Sequence, residues 1–231
     1  EGKQFSKSRN WAVWVPDFLN NYSADSLRYY LTSNGPETMD ADFVWDNYRS
    51  RNNSELVGNY GNFLHRVLDF VYKKFEGKIP KRGPLDKSDN DFLKSCENVF
   101  KRAGNDIEQG KFRSALKEIF GLAEQGNRYL QDKAPWQAIK SNREKAETSL
   151  NVCLQVILNL RILTSPFLPF SSAKLKAFFN LKNSSDSWEF QEITKDLTFS
   201  EAPVPLYEQI EKEKIAQEIE KLYHKNNSNS Q

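Results

Sequence analysis

Cysteine is scarce in this chain. There are 2 Cys in 231 residues, Cys96 and Cys153, and neither has a second Cys or a His at ligand spacing. That argues against a disulfide framework and against a cysteine-based zinc site. Two isolated thiols fit a reducing compartment, and a cytoplasmic location is expected. Helix breakers are also few, with 10 Gly and 9 Pro, so long stretches run uninterrupted. Neither charge sign dominates: 33 Lys+Arg face 31 Asp+Glu, for a net charge of +2. A protein that holds a polyanion by bulk charge is thereby excluded, and any such partner must be met by a local patch. No apolar run reaches the ~20 residues that a membrane-spanning helix needs, so no membrane partner is expected. The first residues, Glu1-Gly2-Lys3-Gln4, resemble neither a signal peptide nor a natural start, and the chain reads as a piece cut from a longer protein. Its length suits one or two domains with a sizeable core.

What is present is helical. Pro16 lies near the first turn of a helix opening at Val15, and Ser23 caps a second on which Leu27, Tyr30 and Leu31 share a face. A short helix is expected from Asp40 to Arg49, packing through Phe43, Val44 and Tyr48 with Trp45 toward its edge. From Asn53 to Glu76 one long helix is expected. Leu56, Tyr60, Phe63, Leu64, Val67, Leu68, Val71 and Phe75 recur there at three- and four-residue steps, and Gly77 stops it. Further helices follow from Ser88, over Lys111 to Gln131, and over Asn142 to Thr164. The last is apolar almost all round, as expected of the buried centre of a bundle. A short helix from Ser171 to Phe179 and an amphipathic one from Glu208 to His224 flank a polar stretch, Asn183 to Pro205. The tail from Lys225 is Asn- and Ser-rich. The expected architecture is all-α, an antiparallel helical bundle preceded by a short helical connector. The divisions are 1–38 for the end of a preceding domain with the connector, 39–225 for the bundle, and 226–231 for a flexible tail.

Three segments carry chemistry. In Gln4-Phe5-Ser6-Lys7-Ser8-Arg9-Asn10 a lysine stands between two hydroxyls. Such a loop suits triphosphate binding, since the ammonium can neutralise charge that shifts during attack at phosphorus; on spacing alone it also suits a solvated loop. On the long helix, Asn62 and Arg66 are four residues apart and share a face. An amide and a guanidinium so placed can read the edges of unstacked bases or line a solvated stripe. The third segment is Asn127-Arg128-Tyr129-Leu130-Gln131-Asp132-Lys133-Ala134-Pro135-Trp136. Its indole can stack on a base, worth ~1–3 kcal/mol, or cap the core.

Taken in order, these segments resemble a known family. Phe5-Ser6-Lys7-Ser8-Arg9-Asn10, Val15-Pro16-Asp17 and Tyr22-Ser23-Ala24-Asp25-Ser26-Leu27-Arg28-Tyr29-Tyr30-Leu31 resemble the end of the catalytic half of class I aminoacyl-tRNA synthetases. There a K-M-S-K-S loop precedes a segment ending in D-A-L-R-Y-Y-L. Asn53 to Arg66 resembles the helix that opens the anticodon-binding bundle of the methionyl-tRNA synthetases, and Asn127 to Trp136 resembles their N-R-Y-x-x-x-x-A-P-W stretch. The resemblance implies a bundle of the class I synthetase anticodon-binding type. It implies that Lys7 stabilises ATP-derived phosphates, with Ser6 and Ser8 as the flanking serines. It further implies that Asn62 and Arg66 meet base edges and that Trp136, presented by Pro135, is the stacking platform. Gln4 and Phe5 depart from the pattern, standing where the first lysine and the methionine usually are.

The implied partners are methionine tRNA with its CAU anticodon and, for the whole enzyme, methionine and ATP with magnesium. The whole enzyme would form methionyl-adenylate and then methionyl-tRNA, whereas this piece alone would not catalyse. His65 points elsewhere on the helix than Asn62 and Arg66 and is expected to be structural or close to a phosphate, not catalytic. Lys73, Lys74, Lys81 and Arg82 are candidates for backbone contact. Two other readings stay open: another class I synthetase of the leucyl, isoleucyl or valyl kind, and a non-enzymatic helical module that docks proteins through its last helix. No D-R-W-type helix start supports the first.

Overall fold

The computed structural model describes residues 1–227 apart from 9, 38–39, 182–185, 194–196 and 200, and the side chains of 225–227 are not described. Its described regular structure is helical, with two isolated β-bridges, Ser6 with Trp11 and Lys78 with Thr198. The bundle is formed by four long helices: α4 (Asn62–Phe75), α5 (Lys87–Glu108), α6 (Phe112–Lys133) and α8 (Arg143–Thr164). A short α7 (Pro135–Ser141) links α6 to α8, and α9 (Pro169–Phe178) follows the Ser165-Pro166 break. Before the bundle come α1 (Val15–Leu19), α2 (Ala24–Ser33) and α3 (Trp45–Arg51). A final helix, α10 (Lys212–Asn227), returns to the connector. No described helix is long and apolar enough to cross a membrane.

Local signals explain most of the helix ends. Ser23 accepts the backbone N–H of Ser26 at 3.1 Å, the usual duty of a hydroxyl at a helix start. Asp86 and Asp89 form a reciprocal capping box at the start of α5. The long helix ends on two successive left-handed residues, Glu76 at φ 55° and Gly77 at φ 71°. Gly77 is required for a second reason: a Cβ there would lie 1.8 Å from the carbonyl oxygen of Phe199.

The long helix departs from expectation in two ways. It begins at Trp45, and residues Asn52–Gly61 are wound as a π-helix between α3 and α4. The apolar steps Leu56 and Tyr60 satisfy either winding, so periodicity alone did not separate them. Starting the helix at Trp45 also changes which side chains turn inward. Trp45 is buried rather than at the edge, and Val44 is only half-buried.

α8 is the buried centre. Its side chains from Thr148 to Thr164 are all withdrawn from solvent. One of its faces is covered by extended chain, not by a helix. Asn151, Gln155 and Asn159, at four-residue steps, meet that chain. Asn151 donates to Pro80 O at 2.8 Å, Asn159 exchanges bonds with Gln191 at 2.8 and 2.9 Å, and Gln155 accepts from Ile193 N at 2.8 Å. The described part of the polar stretch from 183 to 205 thus lies against the core, bringing Trp188, Leu197 and Phe199 with it. Arg161, fully buried on the same helix, pairs with Asp186 at 2.7 Å.

The connector has its own aromatic core of Phe18, Tyr22, Tyr30, Phe43, Trp45 and Tyr48, closed by Ile210 and Ile215 from the C-terminal end. It is stitched to the bundle through helix ends. Asp25 accepts the backbone N–H of Ser171 at 2.6 Å at the start of α9. Arg28 donates to the carbonyls of Pro166 and Phe167 at 2.8 and 3.0 Å, just beyond α8. The first meets a backbone N–H that a helix start leaves without a partner, and the second meets carbonyls of the break between α8 and α9. Of the tail, residues 228–231 lie outside the described residues.

Candidate nucleic-acid interface

α4 turns Phe63, Leu64, Val67, Leu68 and Val71 inward. Asn62 and Arg66 are therefore left, one turn apart, on its outer side. α6 runs against it so closely that a Cβ on Gly126 would fall 2.6 Å from the Phe63 ring. A glycine at that crossing sets the distance between the two helices and brings the outer residues of α6 beside those of α4.

Amides bond across this seam. Asn62 Nδ2 donates to Asn127 Oδ1 at 2.9 Å, and Asn127 Nδ2 donates to the Asn59 carbonyl at 3.0 Å. Asn59 Nδ2 in turn donates to Phe120 O at 3.0 Å. One turn further on, Arg66 Nη2 reaches Gln131 Oε1 at 3.4 Å.

The turn after α6 presents Trp136. Ala134 adopts φ 39°, ψ 60°, a left-handed conformation unusual for a residue with a Cβ. The following proline explains part of it, because its ring disfavours the right-handed helical region at the residue before. Pro135 then opens α7, where its missing N–H is harmless. Pro135 is buried. It holds the turn that presents Trp136 from beneath.

Trp136 packs against the main core yet remains partly exposed. The Arg66 guanidinium lies over its ring, 5.4 Å from the centroid. Arg66, Gln131 and Trp136 thus form one ridge, with Asn62 a turn away.

The turn is anchored from behind. Lys133 Nζ lies 2.6 Å from both Asp86 and Asp89, and Tyr129 donates to Asp89 at 2.6 Å. The bond from Lys133, with help from the Asp89 backbone and Ser88, holds the Asp86 carboxyl far below the usual carboxylate range. Burial disfavours the Lys133 ammonium, but its two carboxylate partners outweigh that and raise its pKa. Burial and Asp89 keep the Tyr129 phenol protonated.

Asn127, Tyr129, Gln131 and Lys133 lie within the Asn127–Trp136 stretch, whereas Asp86 and Asp89 come from the start of α5. The available signal was the repeated step of four: Asn127 to Gln131 on α6 matches Asn62 to Arg66 on α4.

Other candidates sit apart from the ridge. His65 packs with its Nδ1 buried and unpartnered. Lys73 pairs with Asp69 at 2.9 Å. Arg82 turns back toward α8, donating to Asn151 at 2.7 Å and Gln155 at 3.0 Å, so it does not belong to an outward basic face. Both cysteines are buried and unpaired, and burial raises their pKa, which suits inert packing thiols.

The Lys7 loop is built differently. Ser6 and Trp11 exchange two backbone hydrogen bonds of 2.9 Å, Asn10 N donates to Lys7 O at 3.1 Å, and the Ser6 and Ser8 hydroxyls lie 3.2 Å apart. Trp11 is buried, with Tyr223 edge-on at 5.1 Å. Gln4, Phe5, Lys7 and Ser8 are exposed. The loop presents a cation flanked by hydroxyls, which is the chemistry of a phosphate contact.

Comparison with known proteins agrees with both regions. A family model described as class I tRNA synthetases (M) matches residues 1–68, which gives the class. The chain belongs to the family of methionyl tRNA ligase anticodon-binding domains, whose model matches residues 79–226. The methionine–tRNA ligase of Pyrococcus abyssi is 46% identical over 193 residues, covering 84% of this chain and 27% of that protein. That of Bacteroides fragilis is 40% identical over 238 residues, covering 100% of this chain and 34% of that protein. The chain therefore spans between about a quarter and a third of the length of these relatives. Among solved structures, the free form of Mycobacterium tuberculosis methionyl-tRNA synthetase superposes with a TM-score of 0.76 at 21% identity. It covers 86% of this chain and 41% of that one. The likeness supports the all-α bundle with its connector.

Proposed function

We propose that this chain is the anticodon-reading part of a methionine–tRNA ligase, joined to the end of its catalytic half, and that it selects methionine tRNA by the CAU anticodon. The observation that carries the reading is the Arg66 guanidinium lying over the partly open Trp136 ring, 5.4 Å from its centroid. A base leaving the anticodon stack finds there a flat apolar surface, a planar cation and amides at its edge. That combination recognises single-stranded RNA. Trp136 stacks, Arg66 and Asn62 meet base edges, and Pro135 fixes the turn. The bonds from Asn62 to Asn127 and from Arg66 to Gln131 hold the reading groups in place before RNA arrives, which lowers the ordering cost of binding.

In the complete enzyme, methionine and ATP give methionyl-adenylate, and methionine then passes to the tRNA. Lys7 supplies positive charge to the ATP phosphates, and Ser6 and Ser8 shape the loop around them. The loop offers a cation and hydroxyls but no carboxylate, so magnesium would arrive on the ATP. Residues 1–38 belong with the catalytic half and the connector and 39–225 with the bundle, whose two ends, α3 and α10, pack on the connector's aromatic core. The work is cytoplasmic.

Filter binding of this chain to methionine tRNA, with its anticodon intact or changed, tests the reading. Intact tRNA is retained more tightly than changed tRNA, and Trp136→Ala weakens retention of the intact form about 5- to 160-fold, the ~1–3 kcal/mol of one base stack. Equal retention of both tRNAs, or an unaffected Trp136→Ala variant, contradicts it.

A further inference from the structure

We propose that the outer face of α6 is a track for the ribose-phosphate backbone of the anticodon arm, leading from a basic cleft at its start to the Arg66–Trp136 ridge at its end. The proposal rests on the reading of this chain as a tRNA-binding module.

The pattern of α6 makes the track. Its inward side is Ala115, Leu116, Ile119, Ala123, Gly126 and Leu130. Its exposed side is Arg113, Lys117, Gly121, Glu124, Arg128 and Gln131. After Arg113 these recur at alternating four- and three-residue steps, which draws one stripe along the helix. Gln131, at the end of that stripe, is the residue that Arg66 bonds. At about 1.5 Å per residue the stripe runs roughly 27 Å, enough for several nucleotides.

At the other end the stripe opens into a cleft of about 570 Å³ between α2, the π-helical segment and α6, lined by Tyr29, Arg51, Arg113, Lys117, Phe120 and Gly121 among others. The carboxylates nearby are already engaged. Glu55 accepts from Tyr29 and pairs with Arg51 at 3.5 Å. Glu124 pairs with Arg128 at 3.0 Å, and Glu37 accepts the backbone N–H of Arg113 at 2.8 Å. The side chains of Arg113 and Lys117 have no ion-pair partner among the described residues, so two cations one turn apart face solvent, with the Glu37 carboxylate at the Arg113 backbone offsetting part of their charge.

Midway, Gly121 leaves the helix surface bare, with nothing within 4 Å of where a Cβ would stand. Two free cations, a gap without side chains and a cation–aromatic ridge on one line fit a phosphodiester strand. Contacts of this kind position RNA without reading its sequence. Of the other candidates for backbone contact, Arg82 has its guanidinium committed to α8.

The test measures binding of the chain to methionine tRNA and to the same tRNA with a changed anticodon, across a range of salt. For the Arg113→Gln/Lys117→Gln double variant, affinity falls by the same factor for both RNAs, about tenfold. The slope of log affinity against log salt becomes shallower by roughly one to two, as expected when phosphate contacts are lost. Gly121→Glu separates this from misfolding. It places bulk and negative charge on the strip while giving the helix a better helix former, so binding falls although the melting temperature does not. Gly121→Ala keeps binding. Unchanged affinity and salt slope in the double variant and in Gly121→Glu, with Trp136→Ala still defective, overturns the track and leaves the anticodon reading standing. A wild-type chain that binds neither RNA overturns both.

Discussion

The Arg66–Trp136 ridge and the Lys7 loop are both assigned to binding, yet they are held in different ways. Trp136 stands on a turn fixed by Pro135 beneath and by Lys133 bridging to α5. Arg66 stands on a helix locked to its neighbour by Gly126 packing and a line of amides. The Lys7 loop closes on three backbone bonds and one buried tryptophan. The difference suits the two ligands. A base must be recognised by its shape and edge, which rewards a surface in place before binding. A phosphate whose charge moves during reaction is better met by a cation on a loop that can follow it.

The comparison can be broken at the helix crossing first. Gly126→Val drives a branched side chain into Phe63 and should cost about 1–3 kcal/mol of stability, with a matching loss of tRNA binding as α4 and α6 part. Thermal melts beside binding curves check both, and an undisturbed melt would show that the crossing does not set the ridge.

Arg66→Lys is the finer cut. It keeps the charge and removes the planar group, so tRNA affinity should fall by about 1 kcal/mol, near fivefold, with melting unchanged. Full affinity would mean that charge alone is read.

Acid should loosen the turn behind the ridge. Asp86 is depressed in the folded chain, so its contribution to stability is present above its unfolded value, near pH 3.9. It is lost as pH falls through the lower folded value. Melts at neutral pH and near pH 2 should differ less for Asp86→Asn than for wild type, and equal pH dependence would remove Asp86 from the anchor.

Lys7→Ala makes the smallest change to this chain. Melting and tRNA binding should stay within error, while ATP-dependent adenylate formation by the complete enzyme is lost. A fall in tRNA binding would erase the division between loop and ridge.

The parts of this fold legible in the sequence were those set by local spacing. The three- and four-residue steps from Leu56 to Val71, the cap at Ser23 and the all-round apolar run of α8 all correspond to helices where expected. What escaped was decided by distant partners. The roles of Asn151, Gln155 and Asn159 depend on Pro80, Gln191 and Ile193, which lie outside any periodic element. Trp45 was assigned to an edge because its helix was begun too early. The π-helical segment left no mark in the spacing of Leu56 and Tyr60. Of the site, Asn62, Arg66 and Trp136 were found by motif, and the structure brings Arg66 onto Trp136. Their supports, Asn127, Gln131 and Lys133, were read as context because neither what they touch nor the left-handed turn at Ala134 follows from spacing.

The central claim is that the Trp136 ring receives a base of the methionine anticodon. The most direct measurement follows the indole N–H resonances of the isotopically labelled chain, with that of Trp136 assigned by Trp136→Phe, during titration with anticodon stem-loops. The account predicts a large shift of the Trp136 signal with the CAU loop and little with a changed loop. A Trp136 signal that stays still while the CAU loop binds would contradict it.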